Sequence, residues 1–173
     1  MNQKFPLYVS SDRVFSNSNI AISNQEQYKL GELKDGKVVY SPFEALFLSE
    51  KNKVELVSLK SNKKIKENDI IKLFSKNKDF LTKYLVFKYL KNKGYIVKTG
   101  LKFGEEFRVY DKSSFKNNHA KWIVFPIKST NNIAPKELIS KSRITHSTGK
   151  KLLLAIVDSE EDITFYEIDW IKP

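Results

Sequence analysis

The chain has 173 residues, no cysteine and only two histidines, which excludes disulfide frameworks and cysteine nucleophiles and argues against a histidine-built zinc site. Hydrophobic residues make up 40% and aromatics 13%, enough for a packed core and too much for a disordered chain. Thirty-one Lys and Arg against twenty Asp and Glu leave +11, a field that draws nucleic acid or an anionic membrane, although a Lys-rich composition also yields a merely basic soluble protein.

Along the first forty residues, 7–9, 20–22 and 38–40 are strand candidates. Ser16-Asn17-Ser18-Asn19 and Lys34-Asp35-Gly36-Lys37 separate them as turns, the second because Asp-Gly tolerates positive φ. Ser41-Pro42-Phe43-Glu44 has the form of a helix start: Ser41 caps, Pro42 suits the first turn, and Glu44 closes a capping box, so a helix is predicted to about Ser49. A strand is predicted over 54–59, and Asn68-Asp69 open a short helix through Ile70, Ile71, Leu73 and Phe74. Nine lysines lie within residues 51–78, as a solvated face or as contacts to RNA phosphates.

A second unit starts near Asp79. Phe80, Leu81, Tyr84, Leu85, Phe87 and Leu90 recur at helical spacing, with Val86 and Tyr89 widening the stripe, so this helix is expected to be buried on more than one side. Lys91-Asn92-Lys93-Gly94 is a basic last turn with a Gly cap. Strands are predicted over 95–98, 106–110, 121–127, 151–157 and 163–171, with a helix from Ala134-Pro135 to about Thr145 between the third and fourth. Helix, three strands, helix and two strands predict one mixed sheet flanked by helices, in an α/β (α+β) chain. The longest wholly apolar run, 152–157, is too short for a bilayer, and Met1-Asn2-Gln3-Lys4-Phe5-Pro6 has no signal-like stretch, so a soluble, cytoplasmic protein is expected.

Several residues could carry chemistry. His119 sits in the polar run Lys116-Asn117-Asn118-His119-Ala120 ahead of an apolar strand, a place that suits a catalytic loop residue and an ordinary solvated one. His146 ends a helix, where it also favours the negative pole of the dipole. Lys150-Lys151 open a strand and could project toward a site or into solvent. Alternation sets Phe107 and Val109 on one side of their strand and Arg108 and Tyr110 on the other. Asp158-Ser159-Glu160-Glu161-Asp162 lies between two apolar strands and has the form of a hairpin loop more than of a metal site. Ile123-Val124-Phe125-Pro126-Ile127-Lys128 resembles a restriction-nuclease core strand, but Pro126 stands where the acid would be, which disfavours metal-dependent cleavage.

In the second half, Lys83-Tyr84-Leu85-Val86-Phe87-Lys88-Tyr89-Leu90, Gly94-Tyr95-Ile96-Val97-Lys98-Thr99-Gly100-Leu101-Lys102-Phe103-Gly104 and Phe107-Arg108-Val109-Tyr110 form a pattern that resembles the archaeal tRNA-splicing endonuclease family (tRNA-intron lyases). It continues through His119, His146-Ser147, Lys150-Lys151, Ala155-Ile156-Val157-Asp158, Asp162-Ile163-Thr164-Phe165-Tyr166 and the ending Trp170-Ile171-Lys172-Pro173. It covers about residues 80–173; the first half resembles the family more loosely, through 41–48 and the stretch after Asp69. Departures are Gly104-Glu105-Glu106-Phe107, Ala120 where Ser is common, and Gly149 where a basic residue often stands.

The resemblance implies an N-terminal domain over 1–76 and a restriction-nuclease-like catalytic domain over 77–173. It implies a catalytic set of Tyr110, His119 and Lys150, with Arg143 gripping a bulge nucleotide and the loop holding Asp158, Glu160, Glu161 and Asp162 docking into another subunit. The residue types suit the chemistry. RNA brings its own 2′-hydroxyl nucleophile, so cleavage needs a base, an acid for the 5′-leaving oxygen and positive charge on the transition state. By residue type His119 suits the acid, Lys150 the charge, and Tyr110 the base or its positioning. The implied substrate is precursor tRNA with bulge-helix-bulge junctions, cut without metal or cofactor to 2′,3′-cyclic phosphate and 5′-hydroxyl ends. The implied assembly is a homotetramer, or a heterotetramer with a structural subunit. A non-catalytic RNA-positioning subunit and a metal-dependent DNA nuclease are the alternatives, opposed by the complete residue set and by Pro126.

Overall fold

A computed structural model describes residues 4–10, 13–75, 79–99, 107–111 and 119–171. Outside the described residues lie 100–104 of the family-like string with Glu105 and Glu106, the run 112–118 ahead of His119, and the last two residues. Lys76 and Lys78 of the lysine-rich stretch and the first three residues lie outside them as well. The chain divides into two compact units, Met1–Lys78 and Asp79–Pro173.

Among its described residues, the first unit is a five-stranded mixed sheet with three helices. Its strands are β1 (Phe5–Val9), β2 (Val14–Ser16), β3 (Glu32–Lys34), β4 (Lys37–Tyr40) and β5 (Val54–Ser58), in the order β3-β4-β2-β1-β5. Only β1 and β5 run parallel, from Phe5 opposite Val54 to Val9 opposite Ser58. Residues 20–22, expected as a strand, are instead the start of helix α1 (Asn19–Tyr28). The reason is local: the Ser18 side chain accepts a hydrogen bond from the Ile20 N–H at 3.2 Å, so the Ser-Asn run is a helix cap rather than a turn. The short strands β2 and β3 were not foreseen, but the turn at Asp35-Gly36 is present, both residues having positive φ (49° and 72°).

Helix α2 (Pro42–Glu50) has the expected capping box. Its Glu44 is only 5% exposed. One Glu44 oxygen accepts from the Ser41 N–H and hydroxyl, both at 2.9 Å, while the other accepts from the Gly31 N–H at 2.8 Å. The cap therefore also anchors the segment ahead of β3. Burial, and then the Glu44 charge, push the Tyr40 hydroxyl above its ordinary range. Helix α3 (Glu67–Phe74) buries Ile70 and Phe74 and packs against α2.

Among its described residues, the second unit is a mixed sheet with one helix on each face. Helix α4 (Phe80–Asn92) precedes β6 (Ile96–Thr99), β7 (Phe107–Tyr110) and β8 (Trp122–Lys128); helix α5 (Pro135–Ser147) leads to β9 (Lys151–Val157) and β10 (Ile163–Ile168). The strand order is β10-β9-β8-β7-β6, and only β8 and β9 are parallel. Helix α4 buries Phe80, Tyr84, Val86, Phe87 and Leu90, with the Phe87 ring 5.9 Å from that of Phe107. Leu81, counted into its apolar stripe, is 52% exposed. The opposite face carries Ile123, Phe125, Leu152 and Leu154, against which Leu138 of α5 packs. The last strand ends at Ile168 rather than at 171.

Gly31 and Gly36 offer a matched test of this frame. A Cβ on Gly31 (φ +74°) would come within 2.5 Å of Val38 Cγ1, whereas at Gly36 (φ +72°) nothing lies within 4 Å. Gly36→Ala should cost only the left-handed backbone penalty of roughly 1–2 kcal/mol, and Gly31→Ala clearly more. Thermal denaturation of the two variants checks this, and equal shifts would contradict the packing described.

Candidate active site

Three strand ends meet at one edge of the second sheet. The last antiparallel pair of β7 and β8 is Val109 opposite Trp122, and the first parallel pair of β8 and β9 is Trp122 opposite Lys151. Two backbone bonds close this end: Lys121 N–H donates to the Val109 carbonyl at 2.9 Å, and Lys151 N–H donates to the Lys121 carbonyl at 3.1 Å. Tyr110 ends β7 and Lys150 precedes β9, so the two flank Lys121 in one row. At a strand spacing of about 4.8 Å, their backbones stand about 10 Å apart. His119 is two residues from Lys121 and so no more than about 7 Å from it along the chain.

Each side chain has a distinct setting. Tyr110 is 5% exposed and, by alternation with Val109, turns toward the face covered by α5. His119 is exposed, just ahead of the buried Ala120. Lys150 donates to the Thr148 carbonyl at 2.9 Å, and its N–H donates to the Thr145 carbonyl, also at 2.9 Å. Gly149 (φ +64°) makes this tight return from helix to strand. Because α5 connects two parallel strands, its C-terminal turns come to the end where β8 and β9 begin. That brings the exposed Arg143 to the same end of the unit as Tyr110, His119 and Lys150. His146 packs edge-on against Trp170, ring centroids 4.8 Å apart, which gives it a packing role.

Lys151 is committed elsewhere. Its amine donates to Glu167 of β10, and the other Glu167 oxygen accepts from the Trp122 indole N–H at 2.8 Å. The Lys151 hydrogen bond, and then that of Trp122, hold the Glu167 carboxyl below the ordinary glutamate range; the same bond raises Lys151. Lys121 stands 4.1 Å over the Trp122 ring and 3.6 Å from Asp111. Sequence reasoning missed Glu167, because an acid on a half-exposed edge strand carries no signal until its cross-strand partners are known.

The acidic loop lies at the other end of β9, about 20 Å away at 3.3 Å per residue. Asp158 is spent on the turn itself, one carboxylate oxygen accepting from the Glu160 and Asp162 N–H groups at 2.9 Å each. Glu160, Glu161 and Asp162 are exposed. Among the described residues, no three His, Asp or Glu side chains gather so as to hold a metal ion, and no helix is long and apolar enough to cross a membrane.

Residues 80–165 match the tRNA intron endonuclease catalytic C-terminal domain. The whole chain is similar to the tRNA-splicing endonuclease of Pyrococcus horikoshii, with 37% identity over 99% of each chain. Similar relatives include the tRNA-splicing endonucleases of Methanothermobacter thermautotrophicus (37% identity, 83% of each chain) and Methanococcus vannielii (32% identity, 96% of this chain and 94% of the relative).

The division of labour between the two lysines can be read in solution. Lys151→Ala should move the Glu167 carboxyl up toward its ordinary pKa in an NMR titration, while Lys150→Ala should leave it in place. The sign follows from a depressed carboxyl: the pairing contributes above the ordinary glutamate pKa and fades as pH falls through the depressed value. Equal effects of the two substitutions would contradict the assignment.

Proposed function

This chain belongs to the tRNA intron endonuclease family, and on that premise we propose that it is a catalytic subunit that excises introns from precursor tRNA at bulge-helix-bulge junctions. The observation that carries the reading is the row of strand ends that brings Tyr110, Lys150 and, two residues from the row, His119 to one edge of the sheet. Residues 1–76 are assigned as the N-terminal domain and 77–173 as the catalytic domain.

In the proposed mechanism the substrate 2′-oxygen forms a bond to the adjacent phosphorus and the bond to the 5′-oxygen breaks. Tyr110 serves the nucleophile, taking the 2′-hydroxyl proton or orienting it for removal. His119 gives a proton to the leaving 5′-oxygen. The Lys150 ammonium faces the non-bridging oxygens as charge accumulates on them. The products are a 2′,3′-cyclic phosphate and a 5′-hydroxyl, and no step calls on a metal ion. The commitment of Lys151 to Glu167 supports choosing Lys150 for this role. Arg143, exposed near the end of α5, is assigned to an unstacked bulge base, where a guanidinium plane can stack.

Two bulges per substrate call for two active sites at fixed separation, and we assign the chain to a four-subunit enzyme, of four copies or of two catalytic and two structural chains. The loop holding Asp158, Glu160, Glu161 and Asp162 is assigned to subunit docking; its distance from the strand row leaves it free for a second molecule.

His119→Ala should lower single-turnover cleavage of a bulge-helix-bulge RNA by about 10²–10⁴-fold while leaving RNA affinity intact. An unchanged rate would contradict the acid role. Reversing the charges of Glu160, Glu161 and Asp162, with Asp158 kept to hold the turn, should lower the assembled mass seen by light scattering; an unchanged mass would contradict the docking role.

A further inference from the structure

Behind the strand row runs a second set of contacts that the cleavage chemistry does not use. Glu167 joins the first residues of two parallel strands, accepting from Trp122 of β8 and Lys151 of β9. Lys121 extends the line by covering the Trp122 ring at 4.1 Å and pairing with Asp111 at 3.6 Å, and Tyr95 meets the same ring edge-on at 5.7 Å. The members at these ends of β7, β8 and β9 are near chain neighbours of site residues: Asp111 follows Tyr110, Lys121 and Trp122 are two and three residues past His119, and Lys151 follows Lys150.

We propose that Glu167 is a positioning residue for RNA cleavage, its carboxylate cross-tying the starts of β8 and β9 so that His119 and Lys150 keep a fixed separation. This rests on the reading of the strand row as the cleavage site. The tie acts where the β8–β9 ladder stops: the bond from Lys151 N–H to the Lys121 carbonyl lies at its very start, with the unladdered residues 119–121 and 148–150 beyond. A terminal ladder bond frays unless side chains hold it. The Lys151 and Glu167 side chains are 51% and 39% exposed, so their pairing adds little to global stability. A small displacement of an acid or a charge is nonetheless costly in rate, of order 10²-fold for about 1 Å. The tie is therefore expected to be visible in kcat and not in Tm. Its donors differ in what they need. Trp122 needs only an oxygen acceptor, whereas Lys151 is best served by a charge.

Two readouts on the full-length chain test this, with Glu167→Ala and Glu167→Gln beside the wild type. The first is amide hydrogen exchange at Lys151, which needs no activity. The second is single-turnover cleavage of a bulge-helix-bulge RNA, with RNA affinity and Tm measured in parallel. Glu167→Ala should speed Lys151 exchange and lower the cleavage rate by about 10- to 100-fold, with affinity and Tm held. Glu167→Gln, which keeps one acceptor, should fall between. Unchanged exchange, or an unchanged rate in an active enzyme, would overturn the positioning role. A loss of rate that tracks a fall in Tm would also overturn it, by making Glu167 merely structural. A wild-type chain that does not cleave, alone or with any partner subunit, would overturn the reading of the site and this role with it, while faster exchange in Glu167→Ala would mark the tie as real but without a reaction to serve.

Discussion

Parallel pairing of β8 with β9 is the constraint on which the rest of the second unit depends. Two parallel strands cannot be joined by a tight turn, so the chain must leave the end of β8, cross one face as α5 and return to the start of β9. That crossover delivers Lys150 beside the start of β8 and Arg143 to the same end. The antiparallel pairing of β7 with β8 then turns the end of β7, with Tyr110, to the same edge. Residues spread over forty positions of sequence converge because two strand registers agree. The apolar face formed by Ile123, Phe125, Leu152 and Leu154 holds α5 in place, so the site edge is a by-product of core packing as much as of polar chemistry.

Much of this frame was legible where local chemistry is decisive. The Ser41–Glu44 box, the Asp35-Gly36 turn and the Gly94 cap depend on a few adjacent residues, and each stands as expected. The failure at 20–22 has the same local origin read the wrong way. Two isoleucines around an alanine favour a strand by type, but Ser18 caps a helix that begins one residue later, and Ala21 alone of the three is buried. Leu81 failed for a tertiary reason, since apolar type does not say which side of a helix finds a partner. The candidate site was legible residue by residue only through the family resemblance. Composition and spacing left His119, Lys150 and Tyr110 without a role, because their proximity is created by register and not by sequence separation. Glu167 was not legible at all, its meaning resting on Trp122, forty-five positions away.

The lysines near the strand row differ in their partners. Among the described residues, Lys121 and Lys151 pair with Asp111 and Glu167, whereas the Lys150 amine donates to the Thr148 carbonyl. Among the described acidic residues, Glu167 accepts from two donors, and Glu160, Glu161 and Asp162 sit at the far end of β9.

Cleavage of a bulge-helix-bulge RNA by the purified chain in excess EDTA, followed by end-group analysis, tests the central claim most directly. The account predicts cleavage at both bulges with 2′,3′-cyclic phosphate and 5′-hydroxyl ends, from the chain alone or once a structural subunit is added. Cleavage that appears only when Mg²⁺ is restored, with 5′-phosphate ends, would contradict it.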